Sequence, residues 1–288
     1  MPRDNDPSIP PGSHEHSRVS GSIFVGMLWW YSLAVLYPSQ ALKSLGFYAP
    51  SSVGRYPATE PIDGEGQFYC REYKRPVHLE GPSAPDESVA EFDEGAGLYS
   101  SIIAPITKPV HDESLKLMRR FVGPRSRILD VSCGPGTEVI RLASMVPDGE
   151  VVGVDLSAPM VDRAFAEARR QAIENTAFFQ ADVMNLPSHF TGRFDVVHCS
   201  FAFHHYRAPI DALRSMNRVL NAHGKAFLID NGTRWLNAIS APFAKWADPG
   251  WVAFHTGEEF QSLFLQAGFS SFYWEEILPG VGACIACK

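Results

Sequence analysis

Short apolar segments alternate with amphipathic ones over the last two thirds of the chain. The amphipathic segments have apolar residues at helical spacing, and most apolar segments have the length of buried strands. Predicted strands are Arg127–Val131, Val151–Asp155, Ala177–Asp182, Phe194–Ser200 and Lys225–Asp230. Predicted helices are Glu87–Ile103, Thr107–Phe121, Ala158–Ile173, Ile210–Leu220 and Gly257–Ala267. Because strands that are apolar on both faces must be covered on both faces, the pattern predicts an α/β fold with a parallel sheet.

Two further strands close the chain. The segments SSFYWEEIL and GACIAC flank Pro279-Gly280, a dipeptide that favours a tight turn. A tight turn between adjacent strands joins them in an antiparallel pair. We therefore expect a mostly parallel sheet with an antiparallel last strand.

The first third of the chain has a different pattern. Residues 1–20 are rich in Pro, Ser and His, which predicts a disordered tail. No charged residue occurs from Gly21 to Leu42, and the simplest interpretation is an apolar helix that covers the α/β domain. A membrane anchor and a cleaved signal remain alternatives. The predicted organisation is an apolar helix with an irregular connector over 21–86, the α/β domain over 87–288, and a lid-like insertion at 231–256.

Charge and cysteine content exclude some functions. The net charge of −7 and the absence of a basic run argue against a nucleic acid partner. The five cysteines are scattered, which is not the pattern of a disulfide framework, and we expect a cytoplasmic protein. Cys284 and Cys287 would face opposite sides of a strand, so no metal site is predicted.

The segment ILDVSCGPGTEVIRLA, residues 128–143, contains the strongest chemical signal. A strand ends in Asp130, and a loop of small residues that includes Ser132 and Cys133 leads into a helix. Gly134 and Gly136 lack side chains, so a ligand can approach the backbone closely. The amide groups at the start of the following helix point toward that ligand. The loop therefore predicts a nucleotide-like ligand.

Acidic residues end the next two predicted strands. Asp155 is placed to accept hydrogen bonds from ribose hydroxyls, and Asp182 from an adenine amine, with the Val183 amide beside it. Each acid also has a structural alternative. Asp155 could cap the helix that begins near Ser157, and Asp182 could cap a turn before the Leu186-Pro187 dipeptide.

Together these segments resemble a class I S-adenosylmethionine (SAM)-dependent methyltransferase of the quinone and natural-product type. The resemblance extends from about residue 87 to the C-terminus, through VVGVDLSAPMVDRA, FFQADVMNLP and FDVVHCSFAFHHYRAPIDALRSMNRVLNAHGKAFLID. It implies a Rossmann-like sheet of seven strands with helices on both faces, SAM as cofactor and S-adenosylhomocysteine as product. The residues it implies around the cofactor are Asp130, Ser132, Cys133, Gly134, Gly136, Asp155, Leu156, Met160, Asp182, Val183, Cys199 and Ser200.

One position departs from the family pattern. These families usually have glycine two residues after the acid that ends the first strand, where this chain has Ser132. A serine suggests less unusual backbone angles there. A nicotinamide-binding domain is the main rival for the loop, but its third glycine would fall at Val139.

Candidate catalytic and substrate-binding residues follow the fourth and fifth of these strands. His204, His205 and Tyr206 are candidates for a general base or a substrate contact, although a histidine there could also only shape the cleft. Aromatic residues suggest an apolar acceptor, with packing between lid and domain as the alternative. The candidate substrate residues are Phe201, Trp235, Phe243, Trp246 and Trp30.

The first hypothesis is an enzyme that methylates carbon or oxygen of a small hydrophobic metabolite of secondary metabolism, whether aromatic, polyketide, prenylated or terpenoid. The second is a quinone or lipid methyltransferase with peripheral membrane contact through the N-terminal apolar segment. The third is a non-catalytic SAM-binding or dimerisation module. A homo-oligomer formed through the N-terminal helix is compatible with each.

Overall fold

A computed structural model describes residues 52–53, 68–79, 104–247 and 250–288. The side chains of residues 52–53, 104–107, 243 and 246–247 lie outside this description. So do the predicted tail, the apolar segment with Trp30, and the predicted helix over 87–103. Within the described residues, no helix is both long and apolar enough to cross a membrane.

Strands and helices alternate from residue 104 to residue 266. The strands are β1 (Ser52–Val53), β2 (Arg127–Val131), β3 (Glu150–Asp155), β4 (Thr176–Gln180), β5 (Phe194–Ser200), β6 (Leu220–Asn231), β7 (Ser271–Leu278) and β8 (Val281–Cys287). The helices are α1 (Tyr69–Glu72), α2 (Ala104–Met118), α3 (Thr137–Ala143), α4 (Ala158–Arg170), α5 (Pro209–Val219), α6 (Arg234–Ala247) and α7 (Gly257–Gln266).

All strands belong to one sheet, in the order β1-β7-β8-β6-β5-β2-β3-β4. The neighbours from β6 to β4 pair in parallel, and β8 pairs antiparallel with both β6 and β7. The predicted mixed α/β sheet with an antiparallel last strand is therefore confirmed. The short strand β1, antiparallel to β7, extends the predicted seven strands to eight.

One strand boundary differs clearly from the prediction. Strand β6 begins at Leu220, five residues before the predicted Lys225. Its polar first residues gave no strand pattern, but tertiary hydrogen bonds hold them. Asn221 donates to the buried Asp195 carboxylate over 2.5 Å, and the Arg127 amide donates to the same carboxylate over 2.6 Å. This shared acceptor joins the amino ends of three strands, a link that local periodicity does not encode.

Two hydrophobic clusters cover the two faces of the sheet. Leu129 and Val131 face a cluster that includes helices α5 and α7, and Ile128 faces the cluster that includes α2, α3 and α4. Adjacent strand residues point to opposite faces. Because both faces are covered, strand β2 is buried along its whole length. The carboxyl ends of β2 to β6 therefore meet at one edge of a rigid, covered sheet.

The segment containing α1 is anchored to the amino end of β3 and to β4. The Cys70 amide donates to the carboxylate of Glu150, whose side chain is fully buried, over 3.0 Å. Val77 forms a parallel bridge to Phe179, and the Tyr69 hydroxyl donates to the His189 carbonyl over 2.8 Å. These contacts fasten residues 69–77 to the sheet, although the connector has no regular sequence pattern.

Burial raises the pKa of Glu150 to about 6, although the amides of Cys70 and Tyr69 and the Arg127 charge oppose this shift. Because folding raises this pKa, the folded protein is favoured while the carboxyl group is protonated. This contribution to stability is fully present below about pH 4.5 and is lost as the pH rises through 6. We therefore predict that, as the pH rises from about 4.5 to about 7, the free energy of unfolding of Glu150→Gln increases by about 2 kcal/mol relative to that of the wild type. Urea unfolding across this range measures the difference.

The matched control is Glu174→Gln, which removes the same charge from an exposed side chain. It should follow the wild type at every pH. A constant difference between Glu150→Gln and the wild type would contradict the prediction.

Candidate active site

The loop between β2 and α3 has three residues in left-handed backbone conformation. The φ angles are 54° at Ser132, 52° at Gly134 and 81° at Gly136. The expectation that a serine brings ordinary backbone angles is wrong, because Ser132 adopts the conformation that favours glycine. A non-glycine residue is about 1–2 kcal/mol less stable there. The Ser132 Oγ lies 2.8 Å from the Tyr206 hydroxyl, so a hydrogen bond offsets part of this strain.

The two glycines of the loop have different surroundings. A Cβ at Gly134 would meet no atom within 4 Å, so the space beside its backbone is open. A Cβ at Gly136 would lie 2.7 Å from the Cβ of Ala164 in α4. Gly136 therefore allows α3 and α4 to pack closely, whereas Gly134 leaves room for a ligand.

Asp155 connects this loop to the tip of β3. One carboxylate oxygen accepts a hydrogen bond from the Gly134 amide over 2.8 Å, and the other from the Ser157 amide over 3.0 Å. The residue that caps α4 is Ser157, whose hydroxyl accepts from the Met160 amide. The helix-capping alternative for Asp155 is therefore wrong. The two carboxylate oxygens thus hold the glycine loop and the start of α4 at the tip of β3.

Asp182 lies two residues beyond β4, which ends at Gln180 rather than at the predicted Asp182. One Asp182 oxygen accepts from the Met184 amide over 2.9 Å and caps a short 3-10 helix at residues 183–185. The turn-capping interpretation is therefore correct as a description of this contact. A cap engages one oxygen, and a role toward adenine stays a prediction. The next residue, Val183, is buried, and Met160 in α4 is also buried.

Asp130 lies in β2, the strand that precedes the glycine loop, and is buried against His198. The His198 Nδ1 lies 2.7 Å from the Asp130 carboxylate, across neighbouring strands β2 and β5. Burial alone would lower the pKa of His198, but the Asp130 charge outweighs it and raises that pKa. Sequence reasoning missed His198, because it lies within an apolar strand and only the strand register pairs it with Asp130.

The tip of β5 lies next to the same loop. Cys199 is fully buried, with its Sγ 3.4 Å from the Tyr206 hydroxyl. The Ser200 Oγ lies 3.3 Å from Nδ1 of His111 in α2, a histidine that no sequence motif indicated. Phe201 follows with a positive φ of 49°. Strained non-glycine residues at two neighbouring strand tips are typical of a functional site.

His204 forms a buried pair with Asp230, the residue near the end of β6. Its Nδ1 lies 2.9 Å and 3.1 Å from the two Asp230 oxygens, and the His204 amide donates to the same carboxylate over 3.3 Å. The His204 side chain is 13% exposed and that of Asp230 is 3% exposed, so water screens the pair little. Asp230 was not predicted as a site residue, although its position near a strand tip was visible in the sequence.

The lid segment also contacts His204. The amides of Val252 and Ala253 donate to the His204 carbonyl over 2.9 Å and 3.2 Å. The ring centroids of Phe254 and His204 are 5.1 Å apart, and those of Phe254 and Trp251 are 5.5 Å apart. The His205 ring lies 4.3 Å from that of His204. An aromatic residue of the lid, Phe254, therefore packs against His204.

The predicted substrate residues on α6 are less well placed. Trp235 is 50% exposed, and the side chains of Phe243 and Trp246 lie outside the described residues. A role for these residues in substrate binding stays a prediction. No group of three or more His, Cys, Asp or Glu side chains suited to a metal ion occurs among the described residues.

We predict that Gly136→Ala destabilises the fold by about 2–4 kcal/mol, because the new methyl group overlaps Ala164 and the backbone conformation becomes strained. Gly134→Ala also places an alanine at a positive φ but creates no overlap, so it should lower the free energy of unfolding by only about 1–2 kcal/mol. Urea unfolding of both variants tests this order. Equal losses of stability would contradict the different roles of the two glycines.

Comparison with known proteins agrees with this geometry. Residues 128–224 match the protein family described as "Methyltransferase domain". An uncharacterised methyltransferase of Schizosaccharomyces pombe is 34% identical over 37% of this chain and 40% of its own length. A demethylmenaquinone methyltransferase of Lactococcus lactis is 31% identical over 50% of this chain and 59% of its own length. The chain thus spans about half the length of these curated relatives.

A solved structure shows the same fold. The YcgJ protein of Bacillus subtilis superposes with a TM-score of 0.51 and 27% sequence identity, over 56% of this chain and 70% of that one. The matched family covers the glycine loop and the strand tips that carry Asp155, Asp182 and Ser200. Residues 128–224 are therefore identified as a methyltransferase domain, and the shared fold agrees with this.

Proposed function

We propose that the protein transfers a methyl group from SAM to carbon or oxygen of a small hydrophobic acceptor. The observation that carries this proposal is the hydrogen bond between the Gly134 amide and the Asp155 carboxylate. It joins an open, left-handed glycine loop to an acid at the next strand tip. An adenosyl ligand with an amino acid moiety needs both features within reach of one another.

The described residues fit such a cofactor. The backbone around Gly134 has no side chain to block approach, and the Asp155 carboxylate lies next to it at the tip of β3, where it would accept from ribose hydroxyls. Asp182 and the Val183 amide would serve the adenine, with Leu156 and Met160 at its sides. When bound, SAM supplies an electrophilic methyl group on a sulfonium.

His204 is the best placed general base. Asp230 contacts Nδ1 with both carboxylate oxygens, which favours the tautomer with a proton on Nδ1 and the basic lone pair on Nε2. That nitrogen can accept a proton from an acceptor hydroxyl or an acidic carbon as the methyl group arrives. The arrangement supports an acceptor that loses a proton on methylation, such as a phenol or an enol.

The lid supports an apolar acceptor. Phe254 packs beside His204, and Trp251 packs against Phe254. The rings of Phe203, in the short 203–205 helix, and His255 lie 5.6 Å apart. Aromatic walls bind flat apolar rings with little loss of side-chain freedom. A quinone-type acceptor is a second candidate, favoured by the similarity to the L. lactis demethylmenaquinone methyltransferase.

The cofactor proposal predicts that SAM and S-adenosylhomocysteine bind with measurable heat in titration calorimetry. Asp155→Ala should weaken binding by about 10- to 150-fold, because charged hydrogen bonds to the ribose and the loop amide are lost. Asp162→Ala, on an exposed part of α4, is the control and should bind like the wild type. Absence of binding to the wild type would refute the proposal.

The base proposal predicts that His204→Asn and Asp230→Asn reduce kcat without changing SAM affinity. The loss for His204→Asn should be about 10²- to 10⁴-fold. Labelled SAM incubated with small-molecule extract and with quinone acceptors, followed by product mass, gives the substrate for this assay. His223→Asn, an exposed histidine of β6, is the control.

Unchanged kcat in His204→Asn would show that alignment alone drives the transfer. SAM binding without turnover on any acceptor would instead favour a non-catalytic SAM-binding module.

A further inference from the structure

We propose that Tyr206 is a positioning residue, which holds Ser132 in left-handed conformation and so preforms the cofactor loop before SAM arrives. This inference rests on the proposed function, because the loop is the proposed SAM site. It replaces the catalytic role that the sequence suggested for Tyr206. It also explains how this chain uses serine where its family usually has glycine.

The first step is the strain at Ser132. Its φ of 54° lies in the region that glycine occupies freely and other residues avoid. Without a compensating contact, the serine would favour an extended conformation, and the loop would leave the shape that Gly134 and Asp155 share. The hydrogen bond between Ser132 Oγ and the Tyr206 hydroxyl, 2.8 Å long, supplies that contact.

The second step is that the tyrosine is itself held rigidly. Tyr206 is 9% exposed, and its amide donates to the Phe203 carbonyl over 3.0 Å. Its ring packs edge-on against Phe203 at 5.3 Å, and its hydroxyl also contacts Cys199 Sγ at 3.4 Å. A hydroxyl on a ring and backbone that are themselves held in place can restrain its partner, whereas a mobile one could not.

The chemistry of the hydroxyl favours positioning over proton transfer. Burial, together with the neighbouring Cys199, raises the pKa of Tyr206 well above its ordinary value. The phenol therefore stays neutral and keeps its hydrogen bonds across the physiological range. A group that does not ionise there is a poor general base.

The third step links the cofactor loop to the catalytic pair. Tyr206 directly follows the short 203–205 helix, which contains His204. The lid amides of Val252 and Ala253 bond to the His204 carbonyl. The Ser132–Tyr206 bond thus joins the cofactor loop to the residue that ends this helix. Loss of the bond would loosen the loop while the His204–Asp230 pair stays intact.

The test combines Tyr206→Phe with changes at Ser132 and first uses the protein without ligand. Hydrogen exchange is read at the Gly134 amide, which is protected by its bond to Asp155. Tyr206→Phe keeps the ring and removes only the hydroxyl, so it should speed exchange about tenfold, the effect of one lost hydrogen bond. In a Ser132→Gly background the same change should alter exchange less than about twofold, because glycine needs no restraint.

Ser132→Ala breaks the same bond from the other side and serves if Tyr206→Phe does not fold. It should speed exchange about as much as Tyr206→Phe, and the double change should be no worse than either alone. SAM affinity, measured by calorimetry, should weaken in parallel, by about tenfold for Tyr206→Phe in the Ser132 background only.

The two proposals fail in different ways. The positioning role is overturned if Tyr206→Phe changes hydrogen exchange equally with serine and with glycine at position 132. It is also overturned if Tyr206→Phe has no effect when Ser132 is present. If exchange shows the expected dependence on Ser132 but the wild type binds no SAM, the positioning role stands and the cofactor proposal fails.

Discussion

The hydrogen bond from the Gly134 amide to the Asp155 carboxylate is the contact on which the rest of the site depends. It fixes the glycine loop to a strand tip in a sheet that is buried on both faces and cannot easily move. The glycine loop, which leads into helix α3, is thereby held beside the Asp155 carboxylate. The glycine with open space beside it and the acid that holds it are thus two parts of one structural feature.

The left-handed conformation of Ser132 imposes a second constraint. A family with glycine at this position needs no side-chain support for the loop. Here the strain is balanced by a buried tyrosine on the neighbouring strand connection, so the cofactor loop and the segment with His204 become interdependent. Positive φ at Phe201, next to this contact, places another strained residue at the adjacent strand tip.

Two buried histidine–carboxylate pairs lie under the site, and they differ in access. His198 and Asp130 are sealed within the sheet, with no exposed histidine surface. His204 and Asp230 lie at the strand tips beneath the lid, and the histidine retains 13% exposure. The sealed pair suits the fixing of strand ends, whereas the accessible pair suits exchange of a proton with an acceptor.

The sequence by itself determined the α/β alternation, the antiparallel closing strand, the glycine loop and the acids Asp155 and Asp182, because periodicity and strand ends are local properties. Only the tertiary structure paired Asp130 with His198, His204 with Asp230, and Ser132 with Tyr206. These partners lie 26 to 74 residues apart in the chain. Strand order and register bring such residues together, and neither can be read from any single segment.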